Sequence, residues 1–98
     1  MIPGTTHRIR IRFPFDVLRI TDLNVYISQN DRIVITKPMS ECKLNRNRAI
    51  IELSPEETRK LNPYFKYAKI QAVGETNRGK TFSTDIETLK ISNTLERR

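Results

Sequence analysis

The chain has 98 residues, 37% of them hydrophobic and 30% charged, and 18 Lys and Arg against 11 Asp and Glu give a formal net charge of +7. This length predicts one domain with one modest core. No stretch approaches the roughly 18–20 continuous apolar residues of a membrane span. The first residues, Met1–Thr6, carry no apolar segment of the signal-peptide type, so we expect neither a membrane protein nor an exported one. The excess of cations favours an acidic partner, either a protein surface or nucleic acid.

The first predicted strand is the most regular segment of the chain. Between His7 and Phe13, apolar residues alternate with arginines. Successive side chains of a strand point to opposite faces, so Arg8, Arg10 and Arg12 share one face and the apolar residues share the other. We interpret the arginine face as an ordinary solvated surface, as a contact for an acidic protein, or as a contact for nucleic acid.

A hairpin and two further strands follow. Leu23–Ser28 and Ile33–Thr36 flank the segment Gln29–Arg32, whose Asn and Asp favour a tight turn, and this pattern predicts a hairpin. Pro38 follows the second strand of this hairpin. The next apolar segments predict two more strands, which are Cys42–Leu44 and Ala49–Leu53.

One short helix is predicted after these strands. Ser54 is a favoured N-cap, Pro55 suits the first helical position, and Glu57 stands where a capping box requires a carboxylate. We predict a helix over about 55–61, ended by the Asn-Pro pair at 62–63, which carries the chain from one sheet to the other.

The C-terminal third predicts two more strands. Tyr64–Val73 reads as a long strand and Gly74–Lys80 as the loop after it. In Thr81–Ile91 the apolar residues change parity, which predicts a bulge or a move between sheets. Residues 93–98 predict a tail.

These elements predict an all-β fold. About seven short strands with one short helix are typical of an antiparallel, immunoglobulin-like β-sandwich, which we place over residues 1–92. The alternative is a small, partly open barrel of the OB type.

The sequence offers no constellation for catalysis. His7 is the only histidine and Cys42 the only cysteine, so a nucleophile with an oriented base has little support. We interpret Cys42 as a small core residue, Glu57 as a capping residue, and the carboxylates at 85 and 87 as solvent-exposed. We therefore predict no enzyme, no cofactor, no metal and no small-molecule substrate.

A nucleic-acid-binding domain is the alternative function, because single-strand binders combine basic grooves with aromatic residues on which bases stack. Tyr26 is predicted on a polar strand face, whereas Tyr64 and Tyr67 are expected to be core or corner residues. The candidate partner-binding residues are cationic or aromatic: Arg8, Arg10, Arg12, Tyr26, Arg97 and Arg98. We expect only weak binding of nucleic acid.

The order of elements resembles small structural proteins of tailed bacteriophages and is similar to the immunoglobulin-like N-terminal domain of phage baseplate upper proteins. Four short segments carry this resemblance: Arg12–Asp16, Val25–Asn30, Leu53–Thr58 and Ser83–Ile86. The resemblance implies a virion component assembled in the host cytoplasm. It also implies that the chain has no catalytic activity and docks on other virion proteins and on copies of itself.

Overall fold

A computed structural model of the chain describes residues 1–62, 64–84 and 86–91. Within these residues the chain forms eight strands and one short helix. The strands are β1 (His7–Arg12), β2 (Ile20–Gln29), β3 (Arg32–Pro38), β4 (Cys42–Asn45), β5 (Arg48–Leu53), β6 (Tyr67–Thr76), β7 (Thr81–Ser83) and β8 (Glu87–Lys90). The helix is α1 (Pro55–Thr58), and two 3-10 turns are Val17–Arg19 and Met39–Glu41.

The strands form two antiparallel sheets. The three-stranded sheet has the order β1-β5-β4, and the five-stranded sheet has the order β3-β2-β6, with β7 and β8 both paired to β6. The core contains fully buried residues from both sheets: Leu23, Val25, Ile27, Ala49, Ile51, Leu53 and Ala72. The predicted β-sandwich with one short helix is confirmed. The described strands form two separate sheets and not the partly open barrel that was the alternative.

The hairpin between β2 and β3 has the turn that its sequence predicts. Asn30 and Asp31 both have positive φ, at 51° and 61°. Two central residues with positive φ match the right-handed twist of the flanking strands, and Asn and Asp tolerate this conformation better than most residues. The short polar turn therefore sets the pairs next to it, Gln29 with Arg32 and Ser28 with Ile33, and the register shifts by one residue between Ser28 and Ile27.

The capping box of α1 is formed, but the helix is shorter than predicted. Ser54 Oγ accepts a hydrogen bond from the Glu57 N–H at 3.2 Å, and a Glu57 carboxylate oxygen accepts one from the Ser54 N–H at 2.9 Å. The helix ends at Thr58 because the next N–H groups, at Lys60 and Leu61, bond carbonyls three residues back. This tighter turn brings Leu61 into the core, where it is 1% exposed.

The C-terminal third differs from its prediction at two points. β6 begins at Tyr67 and continues to Thr76, so Gly74 lies inside a strand and not in a loop. The parity change in Thr81–Ile91 lies between two separate strands, β7 and β8, which both pair with β6. The register against β6 shifts by one residue between them, as the predicted bulge requires, and the chain does not move to the other sheet. This interruption accounts for the eighth strand.

The close approach of two groups explains why Gly74 is a strand residue. A Cβ at this position would lie 2.3 Å from the Asp22 carbonyl oxygen and 2.8 Å from Cζ of Phe82, its cross-strand neighbour. Only glycine fits between them. The predicted tail at 93–98 lies outside the described residues, as does the carboxylate at position 85. Among the described helices, none is long and apolar enough to cross a membrane.

Candidate partner-binding face

Cations from three neighbouring strands meet on the outer face of the three-stranded sheet. In the strand register, Arg10 is opposite Ile50, Arg12 is opposite Arg48, and Lys43 is opposite Ile50 on the other side. Directly opposite residues of antiparallel strands project from the same side of a sheet. We call this surface the basic face and define it by five exposed residues: Arg8, Arg10, Arg12, Lys43 and Arg48.

The alternation of β1 produces this arrangement. Ile9 and Ile11 are only 8% and 3% exposed because they point between the sheets. Burying these two residues stabilises the sandwich, and the strand geometry then directs the intervening arginines outward. Packing of the core therefore places Arg8, Arg10 and Arg12 on one outward face of β1.

Most of this charge has no counter-ion within the described residues. One ion pair lies on the basic face, between Arg8 Nε and a Glu52 carboxylate oxygen at 3.1 Å. Both side chains are well exposed, so the pair contributes little to stability. Arg12 and Arg48 lie directly opposite each other, and like charges in this position repel. An incoming carboxylate would relieve that repulsion.

The basic face has an apolar centre. Ile50 is half-buried and has Arg10 on one side and Lys43 on the other. A shallow cleft beside it is lined by Arg8, Glu41, Lys43, Ile50 and Glu52. Two carboxylates line this end of the surface, whereas no described carboxylate forms an ion pair with Arg12 or Arg48 at the other end.

Sequence reasoning found the arginines of β1 but did not include Lys43 and Arg48 among the candidate residues. The available signal was the parity of β5, in which Ala49, Ile51 and Leu53 are fully buried, so Arg48 must project outward. The position of Lys43 and Arg48 on the same face as the β1 arginines depends on strand pairing, which local sequence does not reveal.

Tyr26 does not join the basic face. It lies on the outer face of the five-stranded sheet, where its neighbours in register are Thr36 and Gln71. The two outer faces are on opposite sides of the sandwich. The candidate residues are thus divided between two surfaces, and Arg97 and Arg98 lie outside the described residues.

The expectation that Tyr64 and Tyr67 are core or corner residues is wrong. Tyr64 is 91% exposed in the loop that follows α1, and Tyr67 is 55% exposed at the start of β6. Tyr67 projects to the same side of β6 as the exposed Lys69. The other side of the strand, to which Ala68 projects, is the buried one. The alternation of β6 therefore places this tyrosine outside.

An ion-pair cluster around the buried Lys37 side chain connects β3 to α1 and to the 3-10 turn Met39–Glu41. The Lys37 side chain, on β3, is 7% exposed, and its Nζ lies 2.7 Å from a Glu57 carboxylate oxygen and 3.1 Å from a Glu41 carboxylate oxygen. Burial opposes the charge of Lys37, but its hydrogen bonds to Glu57 and Glu41 outweigh burial and raise its pKa. Burial likewise opposes ionisation of Glu57, and the hydrogen bonds from Lys37 and the Ser54 N–H outweigh it and lower the pKa of Glu57.

The environment of Cys42 keeps its thiol protonated. Burial, with the nearby Glu41 carboxylate, raises the pKa of the Cys42 thiol, whose Sγ donates a hydrogen bond to the Pro38 carbonyl at 3.3 Å. The thiol is therefore held in its protonated, less nucleophilic form. Within the described part of the chain, no group of three or more His, Cys, Asp or Glu side chains is placed to hold a metal ion.

Comparison with known proteins identifies a fold and no family. No protein-family model and no curated protein matches the chain. Among solved structures, the crystal structure of an engineered protein is similar, with a TM-score of 0.62 and 14% sequence identity over 94% of this chain. The chain spans 17% of that protein's length. A likeness at this identity shows the fold alone, and it agrees with the antiparallel β-sandwich.

Proposed function

We propose that this domain is a non-enzymatic structural or adaptor subunit that docks through the basic face onto an acidic surface of a neighbouring protein. The observation that carries the proposal is the convergence of five exposed cations from three strands, with a single carboxylate paired to them among the described residues. Guanidinium groups bind carboxylates through two parallel hydrogen bonds, so such a surface is suited to aspartate and glutamate side chains.

The layout of the face supports protein docking. A half-buried Ile50 at its centre is surrounded by charged residues, and protein interfaces combine an apolar centre with a polar rim in the same way. The repulsion between Arg12 and Arg48 is present in the free domain and is removed when a carboxylate binds between them. Binding energy is therefore concentrated at this end of the face.

Nucleic acid is less well suited to the same surface. The sheet that carries the basic face is described in full, and none of its outward-facing residues is aromatic. Tyr26 is on the opposite side of the sandwich, so bases bound along the arginines would have no stacking partner. Binding would rest on phosphate contacts alone and would weaken steeply with salt.

We further propose that the assembly is the particle of a tailed bacteriophage, with other virion proteins and copies of this chain as neighbours. The support for this part is the sequence resemblance of the segments Arg12–Asp16, Val25–Asn30, Leu53–Thr58 and Ser83–Ile86 to small phage structural proteins. The proposal places the chain in the virion, assembled in the host cytoplasm.

The test compares two variants of equal net charge. In the first, Arg8, Arg10 and Arg12 are all changed to glutamine. In the matched control, the exposed cations of the opposite sheet are changed to glutamine: Arg32, Lys69 and Lys90. The number of copies of each variant in purified phage particles is measured by quantitative mass spectrometry.

We expect the first variant to fall at least about tenfold in particles, equivalent to about 1.4 kcal/mol of lost binding, while its melting temperature is unchanged. The control variant should be incorporated like the wild type. Equal loss in both variants would contradict docking through the basic face. Absence of the wild-type chain from particles would contradict the virion assignment. Binding to a random-sequence DNA duplex that survives physiological salt, about 150 mM, and needs the arginines would favour the nucleic-acid function.

A further inference from the structure

β1 is an edge strand with a free side. In the three-stranded sheet it pairs with β5, and no other described strand pairs with it. Just beyond β1, the Phe13 N–H donates a hydrogen bond to the Asn47 carbonyl oxygen at 2.7 Å. Phe13 is opposite Asn47 in the same register that places His7 opposite Leu53. Phe13 and Asn47 are therefore a hydrogen-bonded pair of this ladder.

The alternation of antiparallel ladders then assigns every backbone group of β1. Hydrogen-bonded pairs recur at every second residue, so the odd-numbered residues of β1 bond β5. The backbone N–H and C=O groups of Arg8, Arg10 and Arg12 consequently point away from β5 at the open edge. The three arginines thus offer their guanidinium groups on the basic face and, beside it, backbone groups with which no described strand pairs.

We propose that the acidic partner binds as an extended strand that adds antiparallel to the free edge of β1. This inference rests on the proposed function and specifies how the basic face recognises its partner. In such a pair, three alternate residues of the incoming strand exchange backbone hydrogen bonds with Arg8, Arg10 and Arg12 and project their side chains onto the same face. Acidic side chains at these positions lie about 4.5–5.5 Å from the arginines, Cβ to Cβ.

The intervening residues of the incoming strand point to the opposite side, in line with Ile9 and Ile11. These two isoleucines are buried between the sheets, so the incoming strand extends the apolar inner face with its own apolar residues. The recognised pattern is therefore acidic, apolar, acidic, apolar, acidic.

Charge decides between this partner and a second copy of β1. Two β1 strands paired edge to edge would place arginines opposite arginines, and like charges directly opposite are destabilising. Charged residues on an edge strand prevent pairing with identical strands in many β proteins. The three arginines that disfavour pairing with a second β1 also favour an acidic strand. They therefore protect the edge from self-association and select the partner.

The test uses a synthetic peptide with the sequence Thr-Glu-Val-Glu-Val-Glu-Thr and chemical changes to its backbone. N-methylation of the central glutamate removes an N–H that would bond Arg10. N-methylation of a valine removes an N–H that points away from β1 and is the matched control. A peptide of the same composition with its three glutamates adjacent keeps the charge and loses the alternation.

Affinity is measured by titration, and amide hydrogen exchange of β1 is followed by NMR. We expect methylation at the central glutamate to weaken binding at least about fivefold, the equivalent of one lost backbone hydrogen bond of about 1 kcal/mol, and methylation at valine to change it far less. In the free protein, the Arg8, Arg10 and Arg12 amides should exchange fast, whereas the Ile9 and Ile11 amides should be protected. The peptide should protect the arginine amides.

The outcomes separate this inference from the proposed function. Equal effects of the two methylations, equal binding of the two glutamate arrangements, or unprotected arginine amides in the bound state would overturn strand addition. If the peptides still require Arg8, Arg10 and Arg12, docking on the basic face stands without strand addition. Peptide binding that is unchanged when the three arginines become glutamine would overturn both.

Discussion

Replacing Lys37 by methionine removes the ion pair between the five-stranded sheet and α1. Lys37 belongs to β3 of the five-stranded sheet, and Glu57 belongs to α1, which directly follows β5 of the three-stranded sheet. Methionine keeps an unbranched stem of similar length and removes the ammonium group. The change leaves Glu57 in its capping box, with its carboxylate accepting from the Ser54 N–H, but without a cation.

The size of the effect follows from how much water the carboxylates can reach. Removing one partner of a fully buried ion pair costs about 3–5 kcal/mol. Here the side chains of Glu57 and Glu41 are 24% and 54% exposed, so both carboxylates regain part of their hydration. We therefore expect Lys37→Met to lower the free energy of unfolding by about 2 kcal/mol at neutral pH. Glu41→Gln is the control and should cost below about 1 kcal/mol, because the Glu41 carboxylate is exposed and Lys37 keeps its ion pair with Glu57.

The pH dependence provides the sharper test. The pKa of Glu57 is lowered in the folded protein, so its contribution is present above the ordinary glutamate pKa of about 4.3 and is lost as the pH falls through the lower folded value. Lys37 has a raised pKa, so its contribution persists up to about pH 10.4 and is lost as the pH rises through the higher folded value. The difference between wild type and Lys37→Met should therefore shrink below about pH 4.

Urea unfolding followed by circular dichroism, at neutral pH and at about pH 3, measures this difference. The reasoning is refuted if the variant is as stable as the wild type at neutral pH. It is equally refuted if the difference between the two proteins is the same at both pH values.

Four further substitutions test the packing, turns and capping of the sandwich by thermal or urea unfolding. Gly74→Ala should destabilise the domain by about 2–3 kcal/mol because the new Cβ overlaps a backbone oxygen. Gly79→Ala should cost about 1 kcal/mol, because Gly79 has a positive φ but open space around it. A larger loss of stability in Gly79→Ala than in Gly74→Ala would contradict the packing around Gly74. Ser54→Ala should cost about 1 kcal/mol through loss of the N-cap bond, and no change would show that the cap is not formed. Gln29→Ala should cost about 2 kcal/mol, since the buried side chain exchanges hydrogen bonds of 3.0 and 2.7 Å with the Asn62 backbone, and a neutral result would exclude that contact.

Local signals made much of the fold predictable from the sequence. The alternation of β1, the Asn-Asp turn between β2 and β3, and the capping box at Ser54 each depend on residues close together in the chain. In each case one physical effect dominates: burial of alternate side chains, tolerance of positive φ, or satisfaction of free N–H groups. These features agree with the structure for that reason.

Contacts between distant residues were not predictable in this way. Gly74 resembles a loop residue until the Asp22 carbonyl and the Phe82 ring are placed beside it. Lys37 shares the parity of the buried Ile35, and its burial is compensated by the carboxylate of Glu57, which reaches it from the helix α1. The basic face was predicted in part, because β1 alone reveals its arginines and strand pairing adds Lys43 and Arg48.

Docking of the basic face on an acidic protein surface is tested most directly by zero-length coupling of amines to carboxylates in the purified native assembly. Lys43 lies on the basic face and Lys69 lies on the opposite outer face, and both are exposed. We expect mass spectrometry to find the Lys43 amine joined to an aspartate or glutamate of a different protein, and Lys69 to be uncoupled or coupled at random. Specific coupling of Lys69 to a partner, with Lys43 left free, would contradict docking through the basic face.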